Sequence, residues 1–344
     1  MIILIMMGLN RVFQRTKAEK TSIENISLII PFKNEKNNIP DLLAALNKLD
    51  YPSDKYEIIF VNDNSSDESM LMLDKNLSTN YKVVSVKDKK YPGKKGALDF
   101  GIQQAKFEII AITDADCEPE PYWLKSISYK ISEGSDVVFG YSPLKAGIKL
   151  VSKISAFENL RNYILYFFSA GLGIPYSATS RSFAFRKEVY FKLNGYSNTL
   201  ETLSGDDDLF IREAVKQRLK IAAFRNGNDL VYSKASDSFR DYFNRKSRHL
   251  KTSQHYLIRH QIMLAVWHTI NIASVYSLLL FFVSNWFLLP FTIKMIFDLL
   301  LTQKVKSKLL HDFSLYEVIF LQPVYETFLI INFINSLFTK DKWK

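Results

Sequence analysis

Apolar positions follow two regimes along this chain. Between about residues 25 and 230, short apolar runs alternate with amphipathic ones; beyond residue 260 the apolar runs lengthen and lose their polar faces. In the first regime Ser27–Pro31, Glu57–Val61, Lys82–Val86, Glu108–Thr113 and Asp136–Tyr141 predict strands, and Ser182–Arg186 reads as a further one. Their apolar residues are consecutive rather than alternating, the pattern of strands covered on both faces. Leu42, Leu43, Leu46 and Leu49 stand at helical spacing, and 96–104 and 205–216 also read as helices. Strands separated by helices predict an α/β fold with a mostly parallel sheet and helices on both faces. Such sheets bind ligands at the carboxyl ends of their strands. The turns after the first, second and fourth strands are therefore where chemistry is expected.

The second regime predicts a membrane. From Val231 to His260 the chain carries seven Lys or Arg against two Asp, with Phe239, Tyr242, Phe243, Leu250, Tyr256 and Leu257 interleaved. A basic, aromatic-bearing helix suits an anionic bilayer surface. Residues 262–282, 287–301 and 315–338 then form two to three apolar helical segments of membrane type. Thr302–Asp312, with Lys304, Lys306 and Lys308, reads as a loop returned to the cytoplasm by the excess of positive charge. Met1–Leu9 is apolar but shorter than the roughly 20 residues needed to span a bilayer, and reads as an interfacial segment or a truncated anchor. The resulting division is 1–24 as an N-terminal apolar and linker segment, 25–230 as the catalytic domain, 231–260 as a basic interface region and 261–344 as the membrane region.

Composition changes this picture only at the margins. The 344 residues carry a net charge of +10, which suits nucleic acid, an anionic membrane or a phosphorylated ligand. Neither zinc-finger spacing nor an RNA-binding aromatic signature is visible, so nucleic acid is not an expected partner. Cys117 is the only cysteine, so no intramolecular disulfide forms.

The chemistry-bearing residues cluster at the expected turns. Asp114-Ala115-Asp116 follows the fourth strand, and in extended chain residues i and i+2 point the same way. Paired carboxylates repel unless a cation joins them, and hard oxygen ligands suit Mg²⁺ or Mn²⁺ together with substrate phosphates. Taken alone, such a pair is equally a polar turn with Asp116 as a helix cap. Glu35 and Asp63 follow the first and second strands, where an acid can accept hydrogen bonds from base or ribose. Pro92–Gly96 is a glycine-bounded basic loop whose Lys95 offers charge to a phosphate or ribose. Gly205-Asp206-Asp207-Asp208-Leu209 sets three acids before a helix; capping uses one, and another can serve as general base for an acceptor hydroxyl. On the basic helix, Arg245 and Arg248 are candidates for the leaving diphosphate, with His249 beside them.

In this order the segments resemble the family 2 glycosyltransferases with a GT-A fold, a Rossmann-like sheet, and the helical tail resembles their membrane-integrated branch. Ile29-Ile30-Pro31-Phe32-Lys33-Asn34-Glu35 is similar to the family's opening strand, and Val61–Asp67 to its nucleotide-binding segment. Lys95-Gly96-Ala97-Leu98 is similar to its lysine loop, Asp114-Ala115-Asp116 to its metal motif and Asp206-Asp207 to its catalytic segment. Arg245–His249 resembles its Q-x-x-R-W motif, with Arg245 for Gln and His249 for Trp. The resemblance implies an inverting hexosyltransferase-type enzyme of class EC 2.4 that uses a nucleotide-diphosphate sugar and a lipid-linked or glycan acceptor. Pro31, Glu35, Asp63, Lys95, Asp114, Arg245 and Arg248 would bind substrate. Asp116 and Asp114 would hold the metal, with Asp207 as base and Asp206 as support. It also implies a multi-pass protein of the inner or plasma membrane, serving cell-envelope polysaccharide, with its catalytic domain in the cytoplasm. The missing tryptophan argues for adding one or a few sugars rather than a processive polymer. The competing readings are a polyprenyl-phosphate sugar synthase and a non-catalytic nucleotide-sugar-binding membrane protein.

Overall fold

A computed structural model describes residues 2–13, 23–75 and 80–338. Seven strands form the main sheet: β1 (Ile26–Phe32), β2 (Tyr56–Asn62), β3 (Tyr81–Ser85), β4 (Ile109–Ile112), β6 (Val137–Gly140), β8 (Phe183–Arg186) and β9 (Ile221–Phe224). Their order is β3-β2-β1-β4-β8-β6-β9, with β8 antiparallel to both neighbours and every other pair parallel. Three short strands, β5 (Cys117–Pro119), β7 (Leu144–Lys145) and β10 (Val231–Lys234), make a second sheet in the order β5-β10-β7.

The strands are apolar throughout because both faces are covered. Ile29, Ile59 and Ile110 enter one core, while Leu28, Ile58 and Ala111 enter the other. The covering helices are α2 (Ile39–Leu46), α3 (Ser69–Asp74), α4 (Lys94–Gln104), α5 (Trp123–Ser132), α7 (Lys187–Lys192) and α8 (Asp208–Lys216). They join α1 (Ile2–Phe13) and the long α6 (Leu150–Gly171). The expected mostly parallel α/β sheet is therefore present, with the limits of six strands within one residue of those expected from the apolar runs and β9 added at its edge.

Three expectations change. The N-terminal apolar segment is α1, and its Ile5 and Leu9 are buried in the core beneath α6. A Cβ on Gly8 would lie 2.4 Å from the Phe168 carbonyl oxygen, and one on Gly171 would lie 2.0 Å from the Gly8 carbonyl oxygen, so the two glycines permit this close crossing. The interface region does not begin at 231, because Val231–Lys234 is β10, paired to β5 and β7. Its basic helix is α9 (Phe239–Ser253), capped by the Ser238 hydroxyl accepting from the Asp241 amide. Finally, Thr302–Asp312 is not a loop: α11 runs from Leu288 to Leu309 and carries all three lysines. Leucines and valines at 301, 305 and 309 keep the helix in register against the core.

The tail also contains α10 (Ile258–Tyr276) and α12 (Leu315–Phe338). Three helical stretches, Ile258–Leu280, Asn285–Leu309 and Leu315–Ser336, are long and apolar enough to cross a membrane. α12 keeps contact with α9 through Phe328 stacked on Phe243, Asn332 donating to the Tyr242 hydroxyl at 3.2 Å and Asn335 donating to Ser247 at 2.9 Å.

Candidate active site

A cavity of about 750 Å³ opens at the carboxyl ends of β1, β2 and β4. Glu35 and Asp63 reach it from the turns after β1 and β2, and Asp114 and Asp116 from the turn after β4. Two asparagines shape the first two turns in the left-handed region, Asn34 at φ 57° and Asn64 at φ 56°. The Asn34 side-chain oxygen accepts from the Ser66 amide at 2.7 Å, tying one turn to the other. Asp63 is nearly fully buried and paired with Lys89. Pro31 lines the cavity at the end of β1.

Lys94 is the hub. Gly93, at φ 63°, turns the chain so that α4 starts at Lys94. The buried Lys94 amine contacts Asp114 at 2.5 Å, Asp206 at 3.0 Å and the Ser180 hydroxyl at 2.6 Å. Burial opposes its charge, but Asp114 and Asp206 outweigh burial and hold its pKa above the ordinary lysine value. Asp114 responds in the opposite sense: burial raises its pKa, while Lys94 and Arg181 bring the net shift downward.

Lys95, the lysine expected at the site, is not there. Its amine is buried against the carbonyl oxygens of Thr199 and Thr202, the latter at 3.0 Å, and it does not line the cavity. The sequence reading started this helix at Gly96; the real start, two residues earlier, gives Lys94 the cavity and Lys95 the interior. Lys94, Ser180 and Arg181 were thus missed, and the only sequence signal for any of them was the lysine doublet itself.

The three aspartates separate by role. Asp207 is the N-cap of α8: one oxygen accepts from the Asp208 amide and the other from the Ser180 amide, both at 2.7 Å. Asp208 is buried, bonded by the Ser177 hydroxyl and by the Ala178 amide at 3.3 Å. Asp206 faces Lys94. Burial, then Asp208 and Asp206, push the Asp207 pKa well above the carboxylate range. Burial also lifts Asp208, to about 6, against the hydrogen bonds from Ser177 and Tyr256. The sequence expectation of Asp207 as base and Asp206 as support therefore meets a geometry in which both Asp207 oxygens already serve backbone amides.

Arg181, Arg245 and Arg248 line the same cavity. Arg245 pairs with Asp241 at 3.3 Å. Arg181 and Arg248 make no ion pair among the described residues. Burial, then Lys246 and Arg248, drive the His249 pKa well down, so the ring is neutral.

One oxygen each of Asp114 and Asp116 and the Cys117 sulfur lie within 4.8 Å of one another. Burial, then Asp116 and Asp114, push the Cys117 thiol well up. The two carboxylates alone are the hard oxygen set that Mg²⁺ or Mn²⁺ takes. Asp116 is the open member, since Lys94 holds Asp114.

The mostly parallel sheet, with a carboxylate pair where the strand order reverses between β1 and β4, is a domain of the GT-A type. Residues 27–190, just under half of the chain, match the family model described as glycosyl transferase family 2. Among curated relatives, glycosyltransferase AglE of Haloferax volcanii is 34% identical over 117 residues, covering 33% of this chain and 38% of its own. The undecaprenyl-phosphate 4-deoxy-4-formamido-L-arabinose transferase of Proteus mirabilis is 31% identical over 119 residues, covering 34% of this chain and 36% of its own. The chain thus spans well under half the length of these two relatives. The mannosyltransferase PcManGT from Pyrobaculum calidifontis, solved with GDP-Man and Mn²⁺, superposes with a TM-score of 0.61 over 99% of this chain and 95% of that one. At 15% identity that likeness shows the fold alone.

Proposed function

We propose that the chain is an inverting glycosyltransferase that moves a sugar from a nucleotide-diphosphate sugar to a hydroxyl of a membrane-associated acceptor. The observation that carries this reading is one cavity holding Glu35, Asp63, Asp114, Asp116, Lys94 and the Asp206–Asp208 acids while reaching residues of α10 and α12. Glu35 and Asp63 orient base and ribose. Lys94, Arg181 and Arg248 take up the charge that develops on the departing diphosphate. Mg²⁺ or Mn²⁺ held by Asp116 and Asp114 would supply Lewis-acid charge to the same diphosphate.

The acceptor hydroxyl gives its proton to a carboxylate as its oxygen bonds the anomeric carbon; the bond from that carbon to the diphosphate oxygen breaks, and the nucleoside diphosphate leaves. We assign the proton to Asp206, with Asp207 as support, since the Asp207 oxygens accept from backbone amides. This exchanges the order expected from sequence. Orientation follows from charge: Lys304, Lys306 and Lys308 stand at the end of α11 whose Lys308 carbonyl accepts from Arg225 of the catalytic domain at 2.8 Å. A basic end on that side supports a cytoplasmic catalytic domain.

The test is transfer by the purified full chain with Mn²⁺ and a panel of UDP- and GDP-sugars, read as nucleoside diphosphate release and glycosylated product. Full transfer by the double variant Asp206→Asn, Asp207→Asn would sink the hydroxyl-base mechanism. It would favour a phosphate acceptor, which needs no base and which the name of the Proteus relative gives for that protein. Tight nucleotide-sugar binding with no turnover would favour a sensor.

A further inference from the structure

The cavity has a second end that the donor does not explain. Beyond the carboxylates it runs between α6, α9, α10 and α12, where Asn159, Asn162, Leu264, Ala265, His268 and Phe333 are part of its wall. Asn159 is only 8% exposed, yet its side-chain oxygen has no hydrogen-bond partner, and the His268 Nδ1 is likewise buried without one. A buried polar atom without a partner is costly unless a ligand or water meets it. The charges at this end are already matched. Lys246 pairs with Glu158 at 2.9 Å, Glu158 also accepts from the Tyr242 hydroxyl at 2.6 Å, and Arg161 pairs with Asp298 at 2.9 Å.

The outer wall is built from the apolar helices α10 and α12. α10 and α12 meet where the Tyr276 hydroxyl lies 2.9 Å from the Thr327 hydroxyl, and both line the cavity, α10 through Leu264 and α12 through Phe333. Phe333 lines the cavity and is 54% exposed. Both helices are long and apolar enough to lie in a bilayer.

We propose that this arm is the acceptor compartment and that it takes a membrane lipid with a neutral, hydroxyl-bearing headgroup, its acyl or prenyl chain leaving between α10 and α12. Asn159, Asn162 and His268 present neutral hydrogen-bonding groups, and the cations that would grip a phosphate stand at the donor end or are paired. The proposal rests on the glycosyltransferase reading and narrows its acceptor to a hydroxyl. The hydroxyl proton passes to Asp206 as the new glycosidic bond forms and the nucleoside diphosphate departs.

The experiment uses the full chain in nanodiscs with Mn²⁺ and the donor panel. Three acceptors are compared: free glucose, a glucosyl diacylglycerol and undecaprenyl phosphate. Product is expected on the glucosyl lipid at a rate at least tenfold above that on glucose, with none on undecaprenyl phosphate. Ala265→Trp, which fills the passage, should cut lipid transfer tenfold or more. Asn159→Leu should raise the KM for the lipid several-fold with the donor KM unchanged. Nucleoside diphosphate with Mn²⁺ should still raise the Tm of both variants, which separates loss of acceptor binding from misfolding. Transfer to undecaprenyl phosphate alone, equal transfer to glucose and the glucosyl lipid, or full lipid transfer by Ala265→Trp would each overturn the proposal. A wild-type chain that neither binds nor hydrolyses any donor would instead remove the underlying enzyme reading.

Discussion

Two buried charge clusters in this molecule look alike and do opposite things. At the strand ends, Lys94 faces Asp114, Asp116 and Asp206–Asp208. In the tail, Arg161 and Lys294 face Asp298 and Glu326. The second cluster is balanced, two cations to two acids. The first has an excess of carboxylate beside an open cavity, where burial first and neighbouring carboxylates second raise the pKa values of Asp207 and Asp208. A balanced buried network fixes helices to one another, whereas an unbalanced one is completed by a ligand that brings positive charge. The comparison therefore separates architecture from chemistry more clearly than the presence of buried charge does.

The largest expected effect is at the unbalanced cluster. Asp116→Asn and, separately, Asp206→Asn should each lower kcat by roughly 10²- to 10⁴-fold with little change in Tm. Steady-state rates together with thermal melts check this. A variant that loses stability in proportion to activity would make the cluster structural. Asp207→Asn should cost less activity than Asp206→Asn, and the reverse order would restore Asp207 as base.

At the balanced cluster the same kind of change should act on stability. Arg161→Met leaves Asp298 with one partner fewer and should cost about 3 kcal/mol. Arg161→Met with Asp298→Leu should recover much of that loss, as a matched deletion does in a buried pair. Denaturation of the detergent-solubilised chain reads both. An Arg161→Met variant with native stability and lost turnover would move this cluster into the catalytic machinery.

Adjacent lysines repeat the contrast within one helical turn. Lys94→Met should abolish most transfer. Lys95→Met should leave the Thr199 and Thr202 carbonyls without their donor and cost about 1–3 kcal/mol, with kcat nearly intact. This pair also marks how far the sequence could be read. The strands were legible because Ile29, Ile59 and Ile110 belong to runs buried on both faces, and Glu35, Asp63 and Asp114 followed from the strand ends. The lysine was misplaced because its choice depends on the phase of α4, which Gly93 sets through a backbone angle that hydrophobic spacing does not encode. The second sheet was missed because strands such as Leu144–Lys145 are too short to show a period. Asn159 lay unmarked in α6 because only the closing of α9, α10 and α12 around it makes its unpaired oxygen informative.

The smallest effect expected is a change of slope at Asp208. Its pKa is raised from 3.8 to about 6 in the folded chain, so the fold binds its proton more tightly than the unfolded chain does. That contribution is fully present below about pH 4 and is lost as pH rises through about 6, to a total on the order of 3 kcal/mol. Asp208→Asn keeps a side-chain oxygen for Ser177 and the Ala178 amide but cannot ionise. It should match the wild type near pH 4, pull ahead between pH 4 and 6, and remain more stable above that. Urea denaturation at pH 4.5, 6 and 7.5 reads the difference directly. Parallel pH profiles for the two proteins would mean that the excess carboxylate charge is already neutralised in the resting site, leaving Lys94 with more company than the fold itself supplies.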